Sequence, residues 1–182
     1  MTTGDEALAA SAKAGDRRAF EELVRRHKTA VYGICRRYLG NADDAYDVLQ
    51  DAFAAAWMGL FRYDSSRAFG PWLRTIALNK CRDFGRRRAV RRLMLAAVRR
   101  EPALEAHTAD LGAEPDLVEP RLERLDRAIA ALPAGYKEVL ILTALGGLSQ
   151  QDAARELGIS VKAVEMRVYR AKRLLSTRLG LP

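Results

Sequence analysis

Trp72, Thr75, Asn79, Arg82 and Arg86 follow one another at three- and four-residue steps within the run PWLRTIALNKCRDFGRRR of residues 71–88. On a helix that spacing puts them on one face. The stripe begins with a flat aromatic, passes a hydroxyl and a side-chain amide, and ends in guanidinium groups, with Arg87 beside it. An indole can stack on an unpaired base, an amide can read a base edge, and arginines can hold phosphates. A second set lies near the C-terminus, where Lys162, Arg167, Arg170, Lys172 and Arg173 crowd one helical pattern against a single acid, Glu165. A basic helix of that density can enter a major groove. A third set is acidic and polar: Asp44, Asp47, Gln50 and Asp51, again at helical spacing. In a basic protein such a strip is a candidate docking surface for a positively charged protein. Helix capping and solvation account for Asp43 and Asp44, but less well for Gln50 and Asp51.

These residues need helices to position them, and the periodicity supplies helices throughout. Residues 5–14 read as a short alanine-rich helix ending at Gly15. Asp16 is an N-cap for a helix over 17–39 with the apolar stripe Phe20, Leu23, Val24, Val31, Ile34, Cys35, Tyr38, Leu39, closed by Gly40. His27 falls on this face as a core or boundary residue. Asn41 caps a helix over 42–61 whose buried stripe is Val48, Leu49, Ala52, Phe53, Ala56, Trp57 and Leu60. A turn-rich loop at 62–68 leads into the helix of the aromatic–arginine stripe, where Leu73, Ile76, Ala77 and Phe84 form the apolar face. Pro71 suits its first turn.

After residue 100 the character changes. Residues 101–120 hold six acids, three prolines and no Lys or Arg. They lack a sustained apolar period, which predicts an extended, flexible acidic linker. Beyond it, Leu122, Leu125, Ile129 and Leu132 predict a helix ended by Pro133. A second follows over 135–145, with Val139, Leu140, Leu142 and Leu145 inside, broken by Gly146 and Gly147. Ser149 and Asp152 resemble a capping box opening a short helix that buries Ala153, Ala154 and Leu157. Gly158 turns the chain, Ile159 plugs the core, and Ser160 caps a last helix with Val161, Val164, Val168, Ala171 and Leu175 facing inward. Short helix, glycine turn, apolar plug and second helix make a helix-turn-helix. The fold class is therefore all-α: residues 1–94 and 121–182 form two small helical domains, joined by a linker over 95–120.

The 182 residues carry a net charge of +8, with 49% hydrophobic and 30% charged residues. This composition excludes global disorder and favours an anionic partner, nucleic acid first. The charge is concentrated: Arg62 to Arg100 contains twelve Lys/Arg against Asp64 and Asp83. No apolar run reaches membrane-spanning length and the N-terminus carries no signal-peptide pattern, so the expectation is a cytoplasmic protein without membrane insertion. Cys35 and Cys81 lie in helical patterns and read as buried, reduced structural thiols. With His27 and His107 they make no metal-ligand spacing, and no cofactor is expected. Nor is there a glycine-rich phosphate loop or a nucleophile–base pair, which argues against an enzyme with a small-molecule substrate.

Four blocks are identified together as those of the extracytoplasmic-function sigma factors of bacterial RNA polymerase. They are DAYDVLQDAFAAAW (44–57), FGPWLRTIALNKCRD (69–83), ALPAGYKEVL (131–140) and LSQQDAARELGISVKAVEMRVYRAK (148–172). The resemblance covers about residues 16–92 and 121–178, in family order. It implies that Asp47, Gln50, Asp51 and Phe53 dock on the polymerase core. It places Trp72 and Asn79, with Thr75, Arg82, Arg86 and Arg87, at the −10 element, where DNA is recognised and opened, and has the loop Ser65, Ser66, Arg67 capture a flipped base. It puts Lys162, Glu165, Met166, Arg167, Tyr169, Arg170 and Arg173 on the helix that reads the −35 duplex. The acidic linker corresponds to the segment threaded into the RNA exit path. An anti-sigma factor is the expected protein inhibitor. Glu165 and Met166 depart from the small, polar or basic residues common at their positions, and the chain stops at Pro182 without the further C-terminal domain of some subfamilies. The alternative class is a free-standing helix-turn-helix regulator of duplex DNA. Such a regulator has no use for Trp72 and Asn79 above an arginine cluster, nor for the docking strip.

Overall fold

A computed structural model describes residues 3–98 and 121–181. Eight α-helices appear among these residues: α1 Asp5–Lys13, α2 Arg17–Leu39, α3 Ala42–Gly59, α4 Phe69–Val98, α5 Arg121–Ala130, α6 Ala134–Leu140, α7 Gln150–Leu157 and α8 Val161–Leu179. A 3₁₀ turn at Leu60–Arg62 follows α3. Helix α4 runs four residues past position 94, and 99–120, the rest of the expected linker, lies outside the described residues.

The starts of the helices are written into side chains. Asp16 accepts from the backbone N–H groups of Arg18 and Ala19, and Asn41 from that of Asp44. Ser149 accepts from Asp152 N–H and Ser160 from Ala163 N–H. Each cap satisfies a donor that the helix leaves unpaired, and is worth about 1 kcal/mol. In the helix-turn-helix, Gly158 adopts φ 64°, the left-handed conformation that ends α7 and redirects the chain into α8.

Helices α1–α4 pack around Leu23, Ile34, Val48, Phe69, Leu73 and Leu78, all buried. Cys35 and Cys81 are free thiols in this core. Burial and the neighbouring thiol hold Cys81 far above the ordinary range, so it stays protonated; contact with Cys35 is the largest cause. His27 sits at the boundary, with Nε2 2.6 Å from Asp5 Oδ2, and ties α2 to α1. Helices α5–α8 enclose Ile129, Val139, Ile141, Leu142, Val164 and Ala171.

Three details differ from the periodicity. The helix expected over 135–145 opens into a π-turn at Ile141–Leu145. Gly146 N–H reaches back to Ile141 O, and a Cβ at Gly146 would stand 2.5 Å from Leu142 O, so this close approach of backbone to backbone demands glycine. Leu145, carried onto this turn, is 40% exposed rather than inside. Val161 is 37% exposed at the first position of α8. Trp57 stands at the rim of the core, its ring 5.0 Å from that of Phe20.

Candidate nucleic-acid and polymerase interfaces

Trp72 enters α4 one residue after Pro71. Its ring lies 4.9 Å from Tyr63 and 5.5 Å from Phe69, so an aromatic shelf holds one side of the indole. A Cβ at Gly59 would stand in ordinary contact with the indole, 3.5 Å from Trp72 Cζ2, so the end of α3 passes directly beside Trp72. Tyr63 does a second job: its hydroxyl donates to the carbonyl of Arg67. The loop Ser65, Ser66, Arg67 is thereby pinned at both ends, because Asp64 Oδ1 accepts from Ser66 N–H (3.0 Å) and Ser66 Oγ (2.7 Å). These hydrogen bonds hold the Asp64 carboxyl below its ordinary range. Ser65, Ser66 and Arg67 are exposed, and Arg67 borders the same cleft as Trp72 and Thr75. A preformed loop beside an aromatic face is a geometry that can receive an unstacked base.

Farther along α4 the polar stripe is partly engaged. Thr75 Oγ1 donates to Pro71 O at 3.1 Å. Asn79 is exposed, and its Oδ1 accepts from Arg82 Nη1 at 2.8 Å, which leaves the amide hydrogens to donate. Arg86 pairs with Asp83, and Arg87 is exposed. Arg82 is turned away from solvent: its Nε and Nη2 donate to the two carboxylate oxygens of Glu138 at 2.8 and 2.9 Å.

On α3, Asp47, Gln50 and Asp51 are exposed together. Phe53, assigned to the polymerase contact, is only 8% exposed and packs edge-on against Phe20, with ring centres 6.5 Å apart. It supports the strip from beneath and cannot present its ring to a partner. Met58 and Phe61 continue the exposed surface beyond the strip with apolar side chains. Alternation around a buried helix hid them, since an exposed apolar residue at a helix end looks like core. Asp44, Asp47 and Asp51 line a cleft of about 520 Å³ with Arg87, Arg88 and Arg91, and Asp44 is spent in a 2.8 Å ion pair to Arg88.

In the helix-turn-helix, Lys162, Glu165, Met166, Tyr169, Arg170 and Arg173 are exposed along α8. Arg167 is half-buried, its guanidinium lying against Gly135 at the start of α6. The exposed set can meet base edges, with Arg167 at its margin. Tyr63, Met58, Phe61 and Glu138 are the residues of these surfaces that periodicity did not single out.

The arrangement is a helical protein with an aromatic, amide and arginine stripe on one half and a helix-turn-helix with a basic second helix on the other. The class is matched directly: residues 23–92 fit the sigma-70 region 2 family model and residues 122–175 the sigma-70 region 4 model. The RNA polymerase sigma factor NccH of Alcaligenes xylosoxydans xylosoxydans is 41% identical over 96% of this chain and 94% of its own. The sigma factor CnrH of Cupriavidus metallidurans is 42% identical, again over 96% and 94%. A solved structure of CnrH, in complex with the cytosolic domain of CnrY, superposes with a TM-score of 0.69 at 39% identity over 97% of both chains. The chain belongs to the sigma-70 family, among its extracytoplasmic-function members, and is a sigma factor that directs RNA polymerase to promoters. A free-standing duplex regulator is not favoured, because the region 2 match covers the half that such a regulator would lack. No helix among the described residues is long and apolar enough to cross a membrane.

Proposed function

We propose that this sigma factor docks core polymerase through Asp47, Gln50 and Asp51, reads the −35 duplex with α8, and opens the −10 element with α4. The observation that carries the reading is the shelf of Tyr63 and Phe69 under Trp72, with the pinned loop Ser65, Ser66, Arg67 beside it. A duplex reader has no need of an indole held beside a base-sized opening. The donors left on Asn79 can then read an unpaired base, while Arg86 and Arg87 hold phosphates. The protein does no bond chemistry of its own and works in the cytoplasm. The acidic segment between the two units follows the RNA exit path of polymerase, mimicking nucleic-acid charge. Its inhibitor is an anti-sigma factor; the similar CnrH is held in a complex with another protein, the cytosolic domain of CnrY.

Runoff transcription with core polymerase on a genomic promoter library tests the reading. A discrete set of start sites dependent on this chain is expected, and no dependence would overturn it. Gln50→Ala combined with Asp51→Lys should weaken capture of core in a pull-down while helicity is kept. Unchanged capture would remove the α3 assignment.

A further inference from the structure

Helix α1 lies ahead of the region 2 match, which begins at residue 23, and carries none of the groups assigned above to DNA or polymerase. A helix of nine residues is marginal by itself in water, so its contacts must hold it. Ala9 and Ala12 are buried, and their small side chains let it lie close on the core. Both of its ends are also tied. At the first residue, Asp5 Oδ1 accepts from Arg26 Nη1 at 2.9 Å, and Oδ2 stands 2.6 Å from His27 Nε2. At the last residue, the Lys13 ammonium donates to the carbonyl of Tyr63 at 3.2 Å. A lysine in a last turn also suits the helix dipole, but here its ammonium reaches another element of the fold.

The two ends lead to the two rings that flank Trp72. The His27 ring centre is 5.5 Å from that of Phe69, and Phe69 stands 5.5 Å from Trp72. Tyr63 stands 4.9 Å from Trp72 and meets Phe69 edge-on at 5.6 Å. Tyr63 follows the 3₁₀ turn in extended conformation, outside any helical ladder, so Lys13 supplies the donor for its carbonyl. Holding that peptide plane sets the direction in which the chain leaves for Ser65, Ser66 and Arg67. The Tyr63 hydroxyl then closes the loop on the carbonyl of Arg67. One short helix thus fixes, from its opposite ends, both rings beside the indole and the entry to the loop.

We infer that α1 is a positioning element for strand opening, with Lys13 and His27 as positioning residues that act through Tyr63 and Phe69 on Trp72. The inference rests on the −10 role proposed for α4. A base that has given up its pair gains most from a site already in shape, because ordering the site afterwards subtracts from the gain. Loosening α1 therefore slows opening. It spares the closed complex, which depends on α8 and on the strip of α3.

The test uses the full chain in holoenzyme, on a promoter recovered by the runoff selection. Closed complexes are measured by footprinting in the cold, and opening by the rate at which −10 thymines become reactive to permanganate. Lys13→Met should slow opening about three- to tenfold while closed-complex affinity stays within about twofold. Lys13→Arg keeps a donor for the Tyr63 carbonyl and should open at close to the wild-type rate. Asp5→Ala frees His27 from the other end of the helix and should act like Lys13→Met, so the inference stays testable if either variant folds poorly. A double-mutant cycle with Trp72→Ala gives the route. Positioning through the indole predicts that Lys13→Met adds little once Trp72 is gone. A full additional loss there would mean that Lys13 holds phosphate directly, and would overturn the inference. So would wild-type opening by both Lys13→Met and Asp5→Ala, or an equal loss in closed complex and opening. Slow opening by Trp72→Ala beside normal opening by both α1 variants sinks the inference alone; normal opening by Trp72→Ala sinks the −10 reading and the inference with it.

Discussion

Truncating Trp72 is the perturbation that separates a melting factor from a reader of duplex DNA. A base drawn from the helix loses stacking and pairing worth a few kcal/mol, and the protein must offset that on the single-stranded side. One aromatic face contributes about 1–3 kcal/mol per stacked base, which is roughly a 5- to 150-fold change in the opening equilibrium. Tyr63 and Phe69 lie tilted against the indole at 4.9 and 5.5 Å and Trp72 is only partly exposed, so a base can reach part of the ring. The same contacts mean that Trp72→Ala also removes packing. Full truncation of a buried aromatic costs about 3–5 kcal/mol, and a half-buried one loses less. Trp72→Phe controls for this, since a phenyl ring still reaches the shelf but presents a smaller face to a base. In holoenzyme, Trp72→Ala should form closed complexes with near wild-type affinity and show weak permanganate reactivity at the −10 thymines; Trp72→Phe should fall between. A template melted in advance should largely restore transcription by Trp72→Ala. Wild-type opening by a folded Trp72→Ala protein would refute the stacking argument, and so would failure of the pre-melted template to help.

Three further outcomes follow from the same geometry. Glu165 is exposed on the helix proposed to read the −35 duplex, where a carboxylate is tolerated if it accepts from a cytosine amino group; Glu165→Gln should then cost about 1–3 kcal/mol of preference at one −35 position in a binding-site selection, and an unchanged selected sequence would exclude it. Arg170→Ala should weaken −35 binding more than Arg167→Ala, because Arg170 is exposed and Arg167 lies against Gly135; equal losses in footprinting would contradict that placement. Burial lowers the Lys137 ammonium from 10.5 to about 8, so between those values the unfolded chain binds a proton that the folded chain lacks. Its linkage term therefore rises with pH through that window and is flat below about 8; urea midpoints should climb from about pH 8 to about 9.5 in wild type and less in Lys137→Met, and identical slopes would reject the assignment.

What the sequence disclosed divides along contact range. Asp16, Asn41, Ser149 and Ser160 each bond to a backbone group two or three residues on, so spacing alone located four helix starts. The stripe through Trp72 and Asn79 was legible for the same reason, since one helix sets its spacing. Phe53 shows where such reasoning stops. Its position matches a docking motif, but which way α3 rolls against α2 decides whether its ring meets a partner or Phe20, and that roll is set by packing between helices. Leu145 and Val161 missed the core because a π-turn and a first-turn position lie off the regular face.

The seam between the two helical units is the extreme case. Arg82 and Glu138 are 56 positions apart; Arg82 belongs to a stripe that points to phosphate, and Glu138 in isolation reads as an ordinary solvated charge. Only the folded chain shows that the Arg82 guanidinium, expected from its stripe to hold phosphate, already holds a carboxylate, with Tyr38 bonded to the same group. Burying that pair has a desolvation cost, and removing one member of such a pair destabilises more than the pair contributes. Neutralising Glu138 and exchanging it with Arg82 should therefore give opposite results: the first strands a guanidinium at the seam and opens it, the second keeps the charges matched and holds it shut. If both variants stay equally closed, apolar packing between α2 and α5 holds the units together and the ion pair is incidental.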